Sequence, residues 1–376
     1  MWHDLTSDQE MIRKTVGKIA SEVLLPAAGQ IDEEYLFNHD GIRVLGKAGF
    51  MGMILPLEFG GSSADTYSFI LALEEISKAC ASTALSVLSH TVASQAIARF
   101  GNDETKQRYL PTMAAGRKIG AFAVHESASG AVAGAIQTRA EKDGDFYIVN
   151  GSKFFVTNGG VADYYVTLVR SGTSKESGEF SLLLVERQSD GLSTGNQYHR
   201  MGLNGTASTE VFFEECRVSS QNLLGEEGGG LKAVASLVAE FALMGMAAIA
   251  TGLARAALEA SIRHALNRII GEQSIAFQPP IQLLIAEMGT TVEAMRGILN
   301  LSLKKRTPLA AYQAKLFAVE ESLRVTDMAL QVHGGHGYTK EMPVERYYRD
   351  ARGLKLHFMT SEILKLNIGK SLLGIT

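Results

Sequence analysis

The spacing of apolar residues changes twice along this chain, and the change limits the possible folds more than any other feature. In the first part of the chain apolar residues recur at helical spacing, as at Ile12, Val16 and Ile19. From Gly120, for roughly the next 100 residues, they form short β-branched and aromatic runs between turn residues. Helical patterns return after a glycine-rich hinge at 225–230. Because strands and helices do not alternate, the sequence predicts an α+β protein with a small antiparallel β-barrel or sandwich between two helical regions.

These changes of pattern also predict the domain boundaries. We expect a helical domain over 1–120, a β-domain over 121–225 and a second helical domain over 226–376. Within the β-domain the runs with strand composition are 146–149, 154–157, 164–169, 180–185 and 210–213. Asn150-Gly151 lies between the first two runs, and both residues accept the positive φ angles of a tight turn. A β-hairpin is therefore expected there.

Composition excludes several classes of protein. Hydrophobic residues are 46% of the chain and charged residues 20%, which is the balance of a folded globular protein. The 36 Lys+Arg against 40 Asp+Glu leave a net charge of -4, so no nucleic-acid partner is expected. The start of the chain lacks the features of a secretory signal, and the apolar run 241–254 is too short to span a bilayer. We therefore expect a cytoplasmic protein without a transmembrane segment.

Common catalytic motifs are missing from the sequence. No G-x-G-x-x-G follows a strand and no serine stands in a G-x-S-x-G elbow. His333 and His336 lack the cysteine or carboxylate company of a metal site, so no metal is expected. Cys80 and Cys216 by themselves cannot build a disulfide framework.

Three ordered segments carry positive information. They are FAVHE at 122–126 with NGSKFFVTNGG at 150–160, QVHGGHGY at 331–338, and RYYRDAR at 346–352. Together with PLEFGG at 56–61 and the α–β–α order, these segments resemble the acyl-CoA dehydrogenase family over essentially the whole chain. The resemblance implies a carboxyl-terminal four-helix bundle, an FAD cofactor and assembly as a homotetramer, a dimer of dimers. It also implies an acyl thioester substrate, carried by coenzyme A or an acyl-carrier protein, and an electron-transfer flavoprotein or similar acceptor.

The resemblance also implies a set of cofactor contacts. A flavin needs hydrogen bonds along its ring edge and donors for its pyrophosphate. Thr157 matches the hydroxyl near flavin N5, Gly334 and Gly335 would let backbone amides approach the pyrophosphate, and Arg268 and Gln278 match residues that reach the FAD of a neighbouring subunit. The full expected set is Phe122, Val124, His125, Ala131, Phe155, Thr157, Arg268, Gln278, Gln331, Gly334, Gly335, Thr360 and Glu362.

Both positions that hold a catalytic glutamate in this family are occupied by apolar residues. The α-proton of a thioester is removed by a carboxylate base. In most of the family that base is the Glu of a Y-E-G-T segment, and the matching residue here is Phe358. In a minority it lies on the long helix after the hinge, where this chain has Ala242 with Leu243 beside it. The sequence therefore predicts an atypical member with altered, relocated or lost chemistry.

Three side chains are candidates for a relocated base. His90 lies on a helical face with Thr83, Val87 and Thr91, where the acyl group of a family member should end. The substrate contacts expected are Thr83, Val87, Thr91 and Leu243. Glu240 would serve only after a shift of helical register, and His125 replaces the usual threonine at the flavin edge. For both histidines a structural or hydrogen-bonding role is the alternative.

Two other functions remain open at this stage. One is a non-catalytic FAD-binding subunit that pairs with an active chain in a hetero-oligomer. The other is a flavin monooxygenase on the same fold, which would need no thioester base.

Overall fold

The computed structural model describes residues 5–129, 135–171 and 179–375. In the first of these stretches the chain forms six α-helices: α1 Ser7–Ile19, α2 Leu25–Glu33, α3 His39–Lys47, α4 Thr66–Ala79, α5 Ala81–Phe100 and α6 Asp103–Ala114. Helix α1 begins at a capping box, in which the Thr6 hydroxyl accepts from the Gln9 backbone N–H at 3.2 Å. Helix α5 is buried along its whole length from Ala81 to Ile97, so it is the central helix of the domain.

The β-domain is one seven-stranded sheet. Its strands are β1 Gly120–Ala123, β2 Arg139–Asp143, β3 Phe146–Val156, β4 Tyr164–Arg170, β5 Phe180–Glu186, β6 Leu192–Thr194 and β7 Thr209–Ser219. The strand order is β1-β4-β2-β3-β7-β6, and β5 pairs with β4. Alternate residues such as Tyr147 and Val149 are buried in the core beneath the sheet. The expected α+β fold, with a β-domain between two helical regions, is confirmed.

The hairpin expected at Asn150-Gly151 is wrong. Strand β3 continues through both residues and shows a register shift against β7 at that point, which is a β-bulge. Asn150 pairs across the bulge with Glu215, whose backbone N–H donates to Asn150 Oδ1 at 2.9 Å. The hairpin turn lies at Gly144 instead, between β2 and β3. Asn-Gly serves a bulge as readily as a turn, because Gly151 supplies a positive φ in either setting.

Strand β1 departs from the antiparallel arrangement. It pairs with β4 in parallel, Gly120 opposite Tyr164, and the two are separated by a long crossing segment that includes β2 and β3. A parallel pair needs such a crossover, whereas antiparallel neighbours can be joined by a short turn. On its other edge β1 has no strand partner among the described residues.

The carboxyl-terminal region returns to helices. They are α7 Gly230–Leu237, α8 Leu243–Asn267, α9 Pro279–Lys305, α10 Pro308–His333, α11 Val344–Leu354 and α12 Ser361–Leu373. A small hairpin of β8 Ile269–Ile270 and β9 Gln273–Ser274 separates α8 from α9. The stretch Gly230–Asn267 is long and apolar enough to cross a membrane, but 78% of its most apolar window is buried inside the protein. It is the core helix that the sequence predicts around 241–254.

Between α7 and α8 the helix contains a π-turn at Val238–Ala242. A π-turn accommodates one residue more than an α-turn over a similar rise. Beyond it α8 packs closely on α4: an added Cβ at Gly252 would lie 2.3 Å from the Glu74 carbonyl oxygen. The Glu74 carboxylate is fully buried there and accepts hydrogen bonds from Arg255 and Arg296.

Candidate active site

The end of β1 presents one group of the expected cofactor contacts. Phe122 and Val124 are half-buried, and His125 directly after them is exposed. The His125 carbonyl oxygen accepts from the Phe154 backbone N–H at 2.8 Å, which ties this end to β3. Partial burial of the ring, and then the nearby Lys153 charge, lower the pKa of His125. The imidazole is therefore neutral at pH 7 and able to accept a proton.

A buried ion pair supports this segment from beneath. Lys153 Nζ lies 2.6 Å from Glu126 Oε1, and both side chains are almost completely buried. Glu126 also accepts from the Thr138 hydroxyl and from the backbone N–H groups of Gln137 and Thr138. Burial raises the pKa of Glu126, but the Lys153 charge and these hydrogen bonds outweigh it and hold the pKa below its usual range. The pair thus fixes the residues on either side of His125.

Phe155 and Thr157 lie at the end of β3. Phe155 has φ of +50°, is 53% exposed and contacts Tyr198 with ring centroids 4.6 Å apart. Thr157 is buried, and its carbonyl oxygen accepts from Ser89 of α5 at 3.4 Å. The structure therefore places Thr157 where β3 meets α5, and Phe155 beside Tyr198.

The usual base position lies in the loop between α11 and α12. Phe358 there has φ of +58°, in the left-handed region that disfavours residues with a Cβ. The carbonyl oxygens of His357 and Met359 both accept hydrogen bonds from Nζ of Lys315, a fully buried lysine of α10. The His357 Nδ1 lies 2.9 Å from the Gly353 carbonyl oxygen, which ties the loop to the end of α11.

Thr360 and Glu362 follow at the start of α12. Thr360 is the N-cap residue of this helix. The Glu362 backbone N–H and the Thr360 hydroxyl lower the pKa of the Glu362 carboxyl. Glu362 is exposed.

The second group of expected contacts lies at the ends of α8 and α10. Gln331, Gly334 and Gly335 are exposed at the end of α10, and an added Cβ at either glycine would meet nothing within 4 Å. The rings of His264 and His333 stack there, 4.3 Å apart, and join the end of α8 to the end of α10. Arg268 and Gln278 are exposed on either side of the β8–β9 hairpin.

The expected face of α5 is buried inside the helical domain. Thr83, Val87, His90 and Thr91 are all at most 2% exposed. His90 Nδ1 accepts from the Gly120 backbone N–H at 3.1 Å, and burial lowers the pKa of His90 to about 4. Thr83 Oγ1 accepts from the Asn38 side chain at 3.0 Å. For His90 this geometry favours a structural role, joining α5 to β1, over the role of base.

The other expected base and its neighbours lie on the π-turn and the start of α8. Glu240 makes a bidentate pair with Arg99 at 2.6 and 2.7 Å, half-exposed at the rim of a groove of about 200 Å³. Ala242 and Leu243 are fully buried. The ion pair directs the Glu240 carboxylate towards Arg99, which favours a structural role for it as well. Ala131 lies outside the described residues.

Sequence reasoning missed the two buried lysines. Lys153 directly precedes the run 154–157 that was identified as a strand, and Lys315 interrupts the apolar sequence Ala314-Lys315-Leu316 of a helix. A lysine at an apolar helical position is the only signal for the second one, because its partners are backbone carbonyls about 40 residues away and leave no mark in the sequence.

Comparison with known proteins assigns the family. Models of the acyl-CoA dehydrogenase N-terminal, middle and C-terminal domains match residues 6–117, 121–216 and 228–373. An acyl-CoA dehydrogenase of Bacillus subtilis is 37% identical over 99% of this chain and 100% of its own length. An acryloyl-CoA reductase (NADH) of Anaerotignum propionicum is 36% identical over 98% of this chain and 95% of its own. The chain belongs to the acyl-CoA dehydrogenase family.

Solved structures agree with that assignment. A chain solved in work on the electron transferring flavoprotein of Acidaminococcus fermentans superposes with a TM-score of 0.95 at 35% identity, covering 99% of this chain and 100% of its own. A prolyl acyl carrier protein oxidase superposes with a TM-score of 0.92 at 29% identity, covering 98% and 99%. The family consists of FAD-dependent enzymes that act on CH–CH groups, so the expected cofactor and class of enzyme are confirmed.

The described residues fit FAD. The free edge of β1 offers backbone donors and acceptors, and no hydrogen bond occupies the Thr157 hydroxyl among the described residues. Gly334 and Gly335 leave open space where a side chain would otherwise stand, so a ligand can approach their backbone amides. FAD requires hydrogen-bonding groups along the edge of its flavin ring and separate donors for its pyrophosphate, and these two groups of residues provide both.

Proposed function

We propose that this protein is an FAD-dependent oxidoreductase of acyl thioesters that handles the substrate proton without a glutamate at position 358. The observation that supports this most is the apolar side chain at each of the two family base positions, Phe358 and Ala242. The acyl group would be carried by coenzyme A or by an acyl-carrier protein, since similar proteins with both kinds of name exist.

The residues of this chain would bind the cofactor at two places. The free edge of β1 at Phe122 and Val124, with the Thr157 hydroxyl, would hold the flavin ring of FAD. Gln331, Gly334 and Gly335 would hold the pyrophosphate, and Arg268 and Gln278 would do so across a subunit boundary. When bound, FAD supplies the acceptor or donor of the hydride at the substrate β-carbon.

For the proton we favour His125 over His90. The imidazole of His125 is exposed and neutral at pH 7, while the segment on both sides of it is fixed by Glu126 and Lys153. His90 is buried, and its Nδ1 already accepts a backbone hydrogen bond. A neutral imidazole that is fixed at the end of a strand can accept a proton from a substrate.

The proposed function also includes an oligomeric state and an electron acceptor. Several exposed apolar side chains lie on the helices and the hairpin of the carboxyl-terminal region: Leu266, Ile269, Ile270, Leu372 and Leu373. Exposed apolar side chains favour burial against other copies of the chain, which supports a homotetramer. The electron acceptor would be an electron-transfer flavoprotein, since a similar chain was solved in work on a protein of that kind, and the location would be cytoplasmic.

A non-catalytic subunit is the second candidate, because the same two apolar residues are what such a subunit would carry. The test is anaerobic mixing of the purified flavoprotein with straight-chain acyl-CoAs, read as loss of flavin absorbance. If no base stands near position 358, wild type should be reduced slowly, and Phe358→Glu should speed reduction by about 10²–10⁴-fold. Phe358→Gln is the matched control, since it has the same shape without the acid.

Three results decide between the readings. Rapid reduction of the wild-type flavin by butyryl-CoA would contradict the expected slow reduction and would mean that another side chain fully replaces the missing glutamate. Equal rates for the Glu and Gln variants would mean that position 358 does not face the substrate. A flavin that no acyl thioester reduces, but that becomes reducible when an active partner chain is added, would establish the non-catalytic subunit instead.

A further inference from the structure

Lys315 is buried without a carboxylate partner. Its side chain is fully buried, and no Asp or Glu oxygen of the described residues lies within 4.0 Å of Nζ. Desolvation lowers its pKa to about 7. A buried ammonium is costly unless it is hydrogen-bonded, so its partners must be sought among neutral groups.

Those partners are two backbone carbonyls of one loop. Nζ lies 2.6 Å from the His357 carbonyl oxygen and also contacts the Met359 carbonyl oxygen. Phe358 stands between the two bonded peptide groups and has φ of +58°. A residue with a Cβ loses free energy in that region, so something outside the residue must hold it there.

We propose that Lys315 is a positioning residue that holds the loop on both sides of residue 358 and so sets the direction of that side chain. Its role at the thioester site rests on the function proposed above, but the hold on the backbone does not. Substitutions at 358, in this chain or in evolution, would then change the chemistry without changing the loop.

A second lysine provides the matched control. Lys153 is just as buried as Lys315, and Nζ contacts Val124 O at 3.4 Å and Glu126 Oε1 at 2.6 Å. It supports the segment around His125 in the β-domain. Removing it should therefore disturb His125 and leave the loop at 358 unchanged.

The first experiment compares Phe358→Ala with Phe358→Gly in two backgrounds, wild type and Lys315→Met. Glycine tolerates positive φ, so in the wild-type background the Gly variant should have an unfolding equilibrium constant a few-fold smaller than that of the Ala variant. In the Lys315→Met background the loop is free to leave the left-handed region. Phe358→Gly should then be no more stable than Phe358→Ala, or less stable. If Lys315→Met does not fold, Lys315→Leu, which also removes the donor to the loop carbonyls, takes its place. The same Gly advantage in both backgrounds would overturn the proposal.

The second experiment reads the loop directly. Trp2 is the only tryptophan, so Trp2→Phe with Phe358→Trp gives a single reporter at position 358. Adding Lys315→Met should at least double the acrylamide quenching constant of that reporter, and adding Lys153→Met should leave it unchanged. Equal quenching with and without Lys315 would overturn the proposal.

The flavin content of each variant is measured in parallel. A protein that binds no FAD would contradict the proposed function, while the Ala–Gly comparison and the quenching would still decide the role of Lys315.

Discussion

Replacing Lys153 by methionine should destabilise the protein strongly, because it leaves a buried carboxylate without its counter-ion. Methionine fills nearly the same space, so the change removes charge more than volume. The Glu126 carboxylate would keep its bonds from Thr138 and the Gln137 N–H but lose the ammonium 2.6 Å away. Breaking a buried pair on one side costs about 3–5 kcal/mol.

That loss converts into a shift of melting temperature. At about 2.1 cal/mol/K per residue, the entropy of unfolding of this 376-residue chain at its melting temperature is roughly 0.8 kcal/mol/K. The expected decrease for Lys153→Met is therefore about 4–6 °C at pH 7. Adding Glu126→Gln should restore part of it, since the buried charge is then gone from both sides.

The pH dependence supplies an independent check. The pKa of Glu126 is lowered in the folded protein, so its contribution to stability is present above its unfolded pKa and is lost as the pH falls through the folded value. Without Lys153, protonation of the Glu126 carboxyl at acid pH removes the unpaired buried charge from the variant. The difference in melting temperature between wild type and Lys153→Met should therefore become smaller as the pH falls from 7 towards 4.

Burial lowers the pKa of Lys153 to about 8. The wild-type protein should therefore also gain stability as the pH rises from 8 to the pKa that this lysine has in the unfolded chain. The variant should lack this gain. Differential scanning calorimetry across pH measures both effects. Lys142→Met on β2 is the control, an exposed lysine of the same sheet that should change stability by less than about 0.5 kcal/mol. A Lys153→Met protein within 1 °C of wild type at pH 7, or a gap that widens at acid pH, would refute this reasoning.

Two further predictions concern the helical core. Burial raises the pKa of Asp350 to about 6, although the hydrogen bond from the Leu203 N–H opposes the rise. The contribution of Asp350 to stability is therefore lost as the pH rises through 6, and the melting temperature of Asp350→Asn relative to wild type should rise from pH 5 to 7.5. A difference in melting temperature that does not change with pH would contradict this prediction. Gly252→Ala should destabilise by about 1–3 kcal/mol through the clash with the Glu74 carbonyl oxygen, whereas Gly297→Ala in α9, with open space around it, should stabilise by up to about 1 kcal/mol in the same urea titration.

Local patterns in the sequence sufficed for the order of the helical and β regions. The helical face of Thr83, His90 and Thr91 lies on α5, and the β-branched run at 164–169 corresponds closely to β4. The prediction of a hairpin at Asn150-Gly151 was wrong because a bulge and a tight turn favour the same residue types, those that accept positive φ angles. Only the pairing with the distant Glu215 distinguishes the two structures. Identical local requirements can be told apart only by tertiary contacts.

The candidate site was predicted less completely than the fold. Family motifs indicate Phe358 and Thr157, since motif positions can be counted along the chain. The burial of His90 against Gly120 and the bond between Glu240 and Arg99 depend on how helices pack, which periodicity does not determine. The same holds for Lys315, whose partners are backbone atoms of no particular residue type.

The π-turn at Val238–Ala242 makes the length of this segment, as well as its composition, a variable for evolution. Removing one residue after Glu240 would turn the five-residue π-turn into an ordinary helical turn, while the helix before and after the turn keeps its direction. Glu240 would then leave Arg99 and advance one place towards the position of Ala242. A carboxylate can thus be brought to this helix face or withdrawn from it by insertion or deletion, with no substitution inside the pocket. Relatives that differ here by a single residue in length should be compared by helix face rather than by residue count.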